Sequence, residues 1–153
     1  MKNTIFLFIY LCTGVFCVAQ QKPAAKTANS SLPKLTVMLG GSKSGNISVK
    51  QLQSIVDSPL IVKDEKGVIY PLKSFRINYT FKSTYRDEET DKVREVKDFR
   101  AYDFYNTNQL SEDWRNSIRD NVKAEDEMLI NNVVVKLKNG KSYFAPELKL
   151  KVQ

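Results

Sequence analysis

The sequence predicts a mainly β protein, an antiparallel immunoglobulin-like β-sandwich with one or two short helices. The clearest observation is the segment 75–82, in which apolar and polar residues alternate. A period of two is typical of a strand with one buried and one solvated face. The second observation is Asn139-Gly140, which separates two strand-like segments and favours a tight hairpin turn, because both residues tolerate a positive φ. Six or seven strands of this kind, with two short helical segments, favour two packed sheets.

The stretch from Gly40 to Ser48 connects a predicted first strand, Leu35 to Leu39, to a predicted short helix. Its glycines, serines and lysine are reminiscent of a phosphate-binding loop. However, Lys43 precedes Gly45, whereas a Walker loop ends in Gly-Lys followed by Ser or Thr. We therefore interpret the stretch as a strand-to-helix connector, in which glycine permits turns and Ser48 caps the helix.

A short hairpin is predicted after this helix, which ends before Pro59. The apolar segments 60–62 and 68–70 flank Asp64-Glu65-Lys66-Gly67, whose composition is typical of a turn. The alternating strand then follows and leads into a charged loop at 86–92.

Val93 to Tyr105 is predicted to be the next long strand, paired antiparallel with the alternating strand. We expect a break in its register near Asp98. Ser111 is predicted to cap a second helix, with Glu112 and Asp113 near the positive end of the helix dipole.

The last two predicted strands flank Asn139-Gly140 and cover 128–138 and 141–153. Pro146 interrupts the second of them. Since proline cannot donate a ladder hydrogen bond, we expect it at an edge or a bulge of the sheet.

The N-terminal region predicts export. Residues 1–19 contain Lys2, then an apolar run of about 14 residues and a small residue, Ala19, which is typical of a cleavable signal peptide. The run is shorter than the roughly 20 residues that span a bilayer, so we expect no stable membrane insertion after cleavage. A lipoprotein anchor at Cys17 is the less favoured alternative, because Phe16 stands where a small residue should precede the modified cysteine.

The rest of the chain divides into a predicted linker and one predicted domain. Residues 20–33 are rich in Gln, Lys, Pro, Ala, Asn and Ser and are predicted to be flexible. Residues 34–153 are predicted to form a single domain that folds on its core alone. Together with the signal peptide, this predicts a protein of the periplasm or the cell surface.

Composition excludes several chemistries. The sequence contains no histidine, and its two cysteines, Cys12 and Cys17, lie within the predicted signal peptide. Thiol catalysis, a Ser-His-Asp triad and the usual Cys/His zinc sites therefore lack their side chains. We expect no enzyme activity, cofactor or metal. The formal charge of +7 favours anionic partners, although nucleic acid is not expected outside the cytoplasm.

Two acidic clusters leave a catalytic alternative open. The cluster at 87–91 lacks the spacing of a calcium loop and is interpreted as a solvated hairpin tip. With the second cluster, 125–127, it could supply the carboxylate pair of a glycosidase. A small secreted glycan-binding or glycan-processing protein is therefore the alternative function.

Aromatic residues give the candidate interaction surface. Phe99 to Tyr105 mixes aromatic and charged residues, a composition that suits a strand shared between core and edge and also suits a protein interface. If Tyr102 and Phe104 are exposed beside Tyr85, a binding surface is the better explanation. The edge near Pro146 is a second place where a partner strand could add.

An ordered series of motifs resembles a known family. The series consists of Gly-Gly-Ser-Lys-Ser-Gly-x-Ile-Ser at 40–48, the strand 72–81, the helix start Leu110-Ser111, and the ending 128–135 through Asn139-Gly140 to 148–152. On these motifs, the chain from about Leu35 to its end resembles the C-terminal domain of GldM, a gliding-motility protein of the Bacteroidetes gliding and type IX secretion machinery.

The resemblance implies a β-rich fold and an interaction role, with no catalytic residues to carry over. Full-length family members carry an inner-membrane helix and several periplasmic domains ahead of this one. Because the apolar segment of this chain is predicted to be cleaved, we do not expect it to be the membrane-anchored component. The implied partner is a protein of the envelope.

Overall fold

The computed structural model describes residues 33–153. The predicted signal peptide, 1–19, and the predicted linker up to residue 32 lie outside the described residues. The strands are β1 (Leu35–Leu39), β2 (Gly45–Ile47), β3 (Leu60–Asp64), β4 (Ile69–Tyr70), β5 (Leu72–Arg86), β6 (Val93–Tyr105), β7 (Glu127–Lys136), β8 (Ser142–Phe144) and β9 (Leu148–Val152), and the helices are α1 (Val49–Ile55) and α2 (Glu112–Asn121).

These strands form two sheets. The smaller sheet has the order β1-β3-β4, and both of its pairings are antiparallel. The larger sheet has the order β2-β9-β7-β5-β6, with β8 also paired to β7. Its pairings are antiparallel except for β2 with β9, which is parallel. The predicted mainly β, sandwich-like fold with two short helices is confirmed.

One continuous core lies between the sheets and helices. The buried side chains come from alternate positions of the strands and from one face of each helix, as amphipathic elements require. On β5, Phe75, Ile77 and Tyr79 are buried, which confirms the predicted alternation. The largest fully buried side chains are Phe75, Leu39, Leu52, Ile77, Ile118, Met128, Ile130, Leu148, Leu150, Val56, Val62 and Val133.

The first helix forms as the sequence predicts. Ser48 is extended at the N-cap, and its hydroxyl accepts a hydrogen bond from the Gln51 N–H at 3.2 Å. The connector itself needs a correction, because Gly45–Ile47 forms β2 and pairs with residues 150–152 of β9. For α2, the start after Ser111 is correct, but the Ser111 hydroxyl makes no capping hydrogen bond.

The predicted register break near Asp98 is wrong. β5 and β6 pair without interruption from Ser74 opposite Tyr105 to Arg86 opposite Val93. The irregularities lie on the other side of β5, where its pairing with β7 shifts between Leu72 and Arg76. No helix within the described part of the chain is long and apolar enough to cross a membrane.

Candidate interaction surface

The hairpin of β5 and β6 extends beyond the rest of its sheet. The pairing of β5 with β7 ends at Thr80, opposite Glu127. The pairing with β6 continues from Phe81, opposite Asp98, to Arg86. At about 3.4 Å per residue, the two strands continue as a ribbon for roughly 17 Å. We call residues 81–98 the arm.

The acidic cluster 87–91 forms the turn at the tip of the arm. The Asp87 carboxylate accepts backbone hydrogen bonds from Glu89 at 3.2 Å and Thr90 at 3.1 Å, and Arg94 lies 2.9 Å from its other oxygen. Asp91 adopts a φ of 54°. These side chains therefore build a solvated turn, as the sequence interpretation had it. Across residues 33–153, no group of three or more acidic side chains converges as a metal site.

The outer edge of β6 is long and regular. β6 lies at the end of the larger sheet and spans 13 residues. Natural edge strands are often short, bulged or interrupted by proline, which discourages pairing with other chains. β6 has an unbroken register and contains no proline. Among the strands of the described region, none pairs with its outer edge, so its backbone groups on that side are open to a partner.

Large apolar side chains are exposed along this edge on both faces of the sheet. They recur at every third position, and because side chains alternate with a period of two, successive ones lie on opposite faces. Val96 and Tyr102 share the face of the buried Phe104, whereas Val93, Phe99 and Tyr105 lie on the opposite face. The exposed fractions are 65% for Val93, 40% for Val96, 69% for Phe99, 55% for Tyr102 and 69% for Tyr105.

The predicted surface residues are not brought together. Tyr102 and Tyr85 are exposed, but Tyr102 pairs with Ile77 and Tyr85 with Arg94. Arg94 and Tyr102 are eight positions apart on β6, or roughly 27 Å. Phe104 is buried; it stacks on Phe75, with ring centroids 4.9 Å apart, and supports the edge of Tyr102 at 5.0 Å. It therefore belongs to the core.

Pro146 lies elsewhere, in the connection between β8 and β9. It is exposed, and with Tyr143 and Phe144 it lines a cavity separate from the arm. The sequence analysis singled out the stretch from Phe99 to Tyr105 but did not list Phe99 and Tyr105 themselves as surface residues, although they are the most exposed aromatics on β6. The spacing of three was visible in the sequence, but only the position of β6 at the sheet edge gives it meaning.

A groove lies between α2 and the base of the arm. Its volume is about 330 Å³. The Arg100 guanidinium lies 5.5 Å from the ring centroid of Phe81 and donates a hydrogen bond to the Ser117 hydroxyl at 3.3 Å. Trp114 and Ile118 of α2 form the facing wall. Aromatic rings beside a cation suit aromatic or acidic side chains of a bound chain.

The second acidic cluster, 125–127, divides among three environments. Glu125 lies 2.6 Å from the Lys82 ammonium. The hydrogen bond between them and the charge of Lys82 lower the pKa of Glu125. The same hydrogen bond and the charge of Glu125 raise the pKa of Lys82. Glu127 pairs with Lys149 at 2.8 Å. Asp126 is buried in the core. The cluster therefore does not present two facing carboxylates.

Asp126 has a structural role that the sequence did not reveal. Its Oδ2 accepts a hydrogen bond from the Tyr79 hydroxyl at 2.7 Å and another from the Lys123 N–H at 2.9 Å. Burial first, and then the hydrogen bond to Asp126 and its charge, raise the pKa of Tyr79. This pair fixes the loop before β7 to the middle of β5.

Comparisons with known proteins leave the surface to be interpreted from its own geometry. No protein-family model matches the chain. A search of curated proteins also finds no match. The function is therefore inferred from the exposed edge, the arm and the groove.

Proposed function

We propose that this chain is a non-catalytic interaction module of the bacterial envelope that binds a protein partner along the outer edge of β6. The observation that carries the proposal is the 13-residue edge, with its unbroken register and its exposed apolar side chains on both faces. A partner strand would bond to the open backbone groups, and alternate side chains would supply specificity. One face of that strand would meet Phe99 and Tyr105, and the other would meet Tyr102.

The envelope location is supported by the predicted signal peptide at 1–19. A structural role is supported by the resemblance to the C-terminal domain of GldM, which implies a β-rich interaction domain in the gliding and type IX secretion machinery. The mainly β fold agrees with that resemblance. The periplasm and the cell surface are both compatible with this proposal.

The glycan-processing alternative has less support. A glycosidase acid needs a carboxyl group whose pKa is raised by its environment. The surroundings of Asp64 and of Glu125 lower the pKa of each carboxyl group. For Asp64, burial raises the pKa, but hydrogen bonds from Val68, Tyr70 and Lys66 outweigh it. Neither group is suited to donate a proton at neutral pH.

Site-specific photocrosslinking in cells tests the proposal. A photoreactive residue would replace Tyr102 on β6 or, as a matched control, Ile69 on β4, which is also an exposed apolar residue on the edge strand of a sheet. We expect discrete protein adducts from position 102 and none from position 69. Absence of adducts at 102, or equal adducts at both positions, would reject the β6 edge as a binding site.

A further inference from the structure

We propose that the strand bound by β6 is β6 of a second copy of this chain, added antiparallel with Phe99 on the two-fold axis. This inference rests on the proposed function, since it names the occupant of the same edge. In this register, residues at equal distances before and after Phe99 lie opposite each other in the two copies. Residue 98 of one copy therefore faces residue 100 of the other, and residue 97 faces residue 101. Paired side chains then lie on the same face, because an even number of positions separates them in sequence.

The exposed apolar residues of β6 meet one another in this register. Phe99 lies opposite its symmetry mate, and Val96 lies opposite Tyr102 on the face that carries the core. Val93 lies opposite Tyr105 on the other face. Each unlike pair occurs twice because a two-fold interface repeats its contacts. All five side chains are at least 40% exposed in the single chain, so every one of these contacts removes apolar surface from water.

The charges next to the axis are complementary. Asp98 lies opposite Arg100 of the other copy, which gives two opposite-charge pairs beside the central phenylalanines. Cross-strand pairs of opposite charge stabilise antiparallel sheets, whereas like charges destabilise them. Lys97 faces Ala101 of the other copy, so the interface adds no like charge next to the lysine.

One pair in this register joins two acidic residues, Glu95 and Asp103. Each already has a cation within its own chain. Arg76 is 2.6 Å from Asp103, and Lys82 is 3.9 Å from Glu95. These intrachain cations reduce the repulsion between the two carboxylates.

Three neighbouring two-fold registers place like charges on the axis. Centring the pairing on Asp98 brings two carboxylates together, and centring it on Arg100 brings two guanidinium groups together. Centring it on Lys97 pairs two ammonium groups and also places Arg94 opposite Arg100. Like charges therefore disfavour these three slipped registers, as specific interfaces do through repulsive pairs. The exposed apolar side chains select among the remaining registers, because only centring on Phe99 pairs all five of them with one another.

Charge reversal tests the inference. The variants Asp98→Arg and Arg100→Asp each create two like-charge pairs in the dimer. Sedimentation equilibrium should show dimerisation of the native chain, a dissociation constant raised roughly tenfold or more in each variant, and recovered dimerisation when the two variants are mixed. Recovery in the mixture requires the opposite-charge pairing and shows that both variants are folded. A native chain that stays monomeric, or single variants that dimerise like the native chain, would overturn the inference.

Single cysteines test the register independently, in a chain with Cys12 and Cys17 replaced by serine. Opposite residues in antiparallel strands have Cα separations of about 4.5 to 5.5 Å, within the range of a disulfide. Phe99→Cys should therefore form a disulfide with its own copy. Lys97→Cys and Ala101→Cys should crosslink only when mixed with each other. Self-crosslinking of either one, or no crosslinking by Phe99→Cys beyond that of Ile69→Cys, contradicts the register.

These results also separate this inference from the proposed function. Adducts of position 102 with a different protein, together with a monomeric native chain, would reject the homotypic partner and keep the interaction module. No adduct at position 102 and no dimer would reject both.

Discussion

At the residue scale, the buried carboxylate of Asp126 makes the Tyr79 hydroxyl important for the stability of the core. The exposed fraction of Asp126 is 1%, and its Oδ2 depends on the Tyr79 hydroxyl and the Lys123 N–H. Removing one donor leaves a charged group in the core with a single bond. We expect Tyr79→Phe to lower the free energy of unfolding by about 2 kcal/mol, the range typical of a hydrogen bond to a charged group.

Urea unfolding measures this effect, and Tyr70→Phe is the matched control. Tyr70 also donates its hydroxyl to a carboxylate, that of Asp64, at 2.8 Å, but this pair lies nearer solvent. Water can replace the lost donor there, so the control should lose less stability. Equal losses in the two variants would show that burial of Asp126 does not set the cost.

The same pair predicts a pH dependence. The pKa of Tyr79 is raised above the tyrosine value of about 10 by burial and by Asp126. Above pH 10 the folded chain therefore keeps a proton that the unfolded chain loses, and stability falls as pH rises. Unfolding measured between pH 8 and about 11 should show a shallower decline for Tyr79→Phe than for the native chain. Parallel declines would mean that other groups cause the loss.

Gly40 and Gly41 provide a second test at this scale, on the loop that resembles a phosphate site. Both have a positive φ, 53° and 85°. A Cβ at Gly40 would lie 2.5 Å from the Ile55 Cβ, whereas a Cβ at Gly41 meets nothing within 4 Å. Both Gly→Ala variants carry backbone strain. We expect Gly40→Ala to be less stable than Gly41→Ala by about 1 to 3 kcal/mol, the cost of overpacking a core.

Thermal or urea unfolding of the two alanine variants measures that difference. Equal stability would show that helix α1 moves to accept the methyl group. In that case the close approach of Gly40 to Ile55 would not explain why the connector begins with glycine.

At the scale of elements, the arm is separable from the core. Residues 83–96 contribute no buried side chain, and an isolated two-stranded ribbon is at most marginally stable in water. We therefore expect that replacing 83–96 by a short turn containing Asn-Gly changes the free energy of unfolding by less than about 1 kcal/mol, as for surface changes. Lys82 and Lys97, which lie opposite each other, are the joining points.

Urea unfolding and the far-UV circular dichroism spectrum check this expectation. If the β6 edge pairs as proposed, the shortened chain also dimerises more weakly, because it lacks Val93 and Val96. A large loss of stability would instead place the arm within the cooperative unit of the fold.

The sequence predicted β5 because its two faces are chemically different, and it failed where tertiary position decides. β2 has three residues and forms only because β9, about a hundred residues later, pairs with it. Phe99 and Phe104 look alike in sequence, yet one is exposed and the other buried. They lie on opposite faces of β6, and which face meets the core depends on how the larger sheet packs in the folded chain.

The misplaced register break has the same physical origin. An edge strand with two wet faces need not alternate, so irregular patterning in β6 did not signal a bulge. The irregularity lies in β7, where buried positions change phase between Ile130 and Val133. Asn132 there has a φ of 49°, in the left-handed region that asparagine tolerates. The sequence showed only that Asn131 and Asn132 interrupt an apolar run.

At the scale of the whole molecule, the end of the chain closes the fold. Val152 of β9 is buried, and its carbonyl accepts a hydrogen bond from the Glu125 N–H at 2.9 Å. The Gln153 N–H donates to the Ile47 carbonyl at 2.8 Å. β9 thus joins β2, near the start of the described region, to β7. The cooperative unit therefore extends to the last residues of the chain.

This closure leads to a prediction about the predicted domain, 34–153. The buried apolar side chains of the described region run from Leu35 to Val152, and a chain of this size buries enough surface to fold without disulfides. We expect residues 33–153 alone to give the same β-type circular dichroism spectrum and, within about 0.5 kcal/mol, the same free energy of unfolding as a chain starting at Gln20. As a contrast, removing 151–153 deletes a buried valine and part of two strand pairings, and should cost about 2 kcal/mol or more. If the loss from trimming the N-terminal segment matched the loss from trimming 151–153, residues 20–32 would belong to the folded domain and would not be a linker.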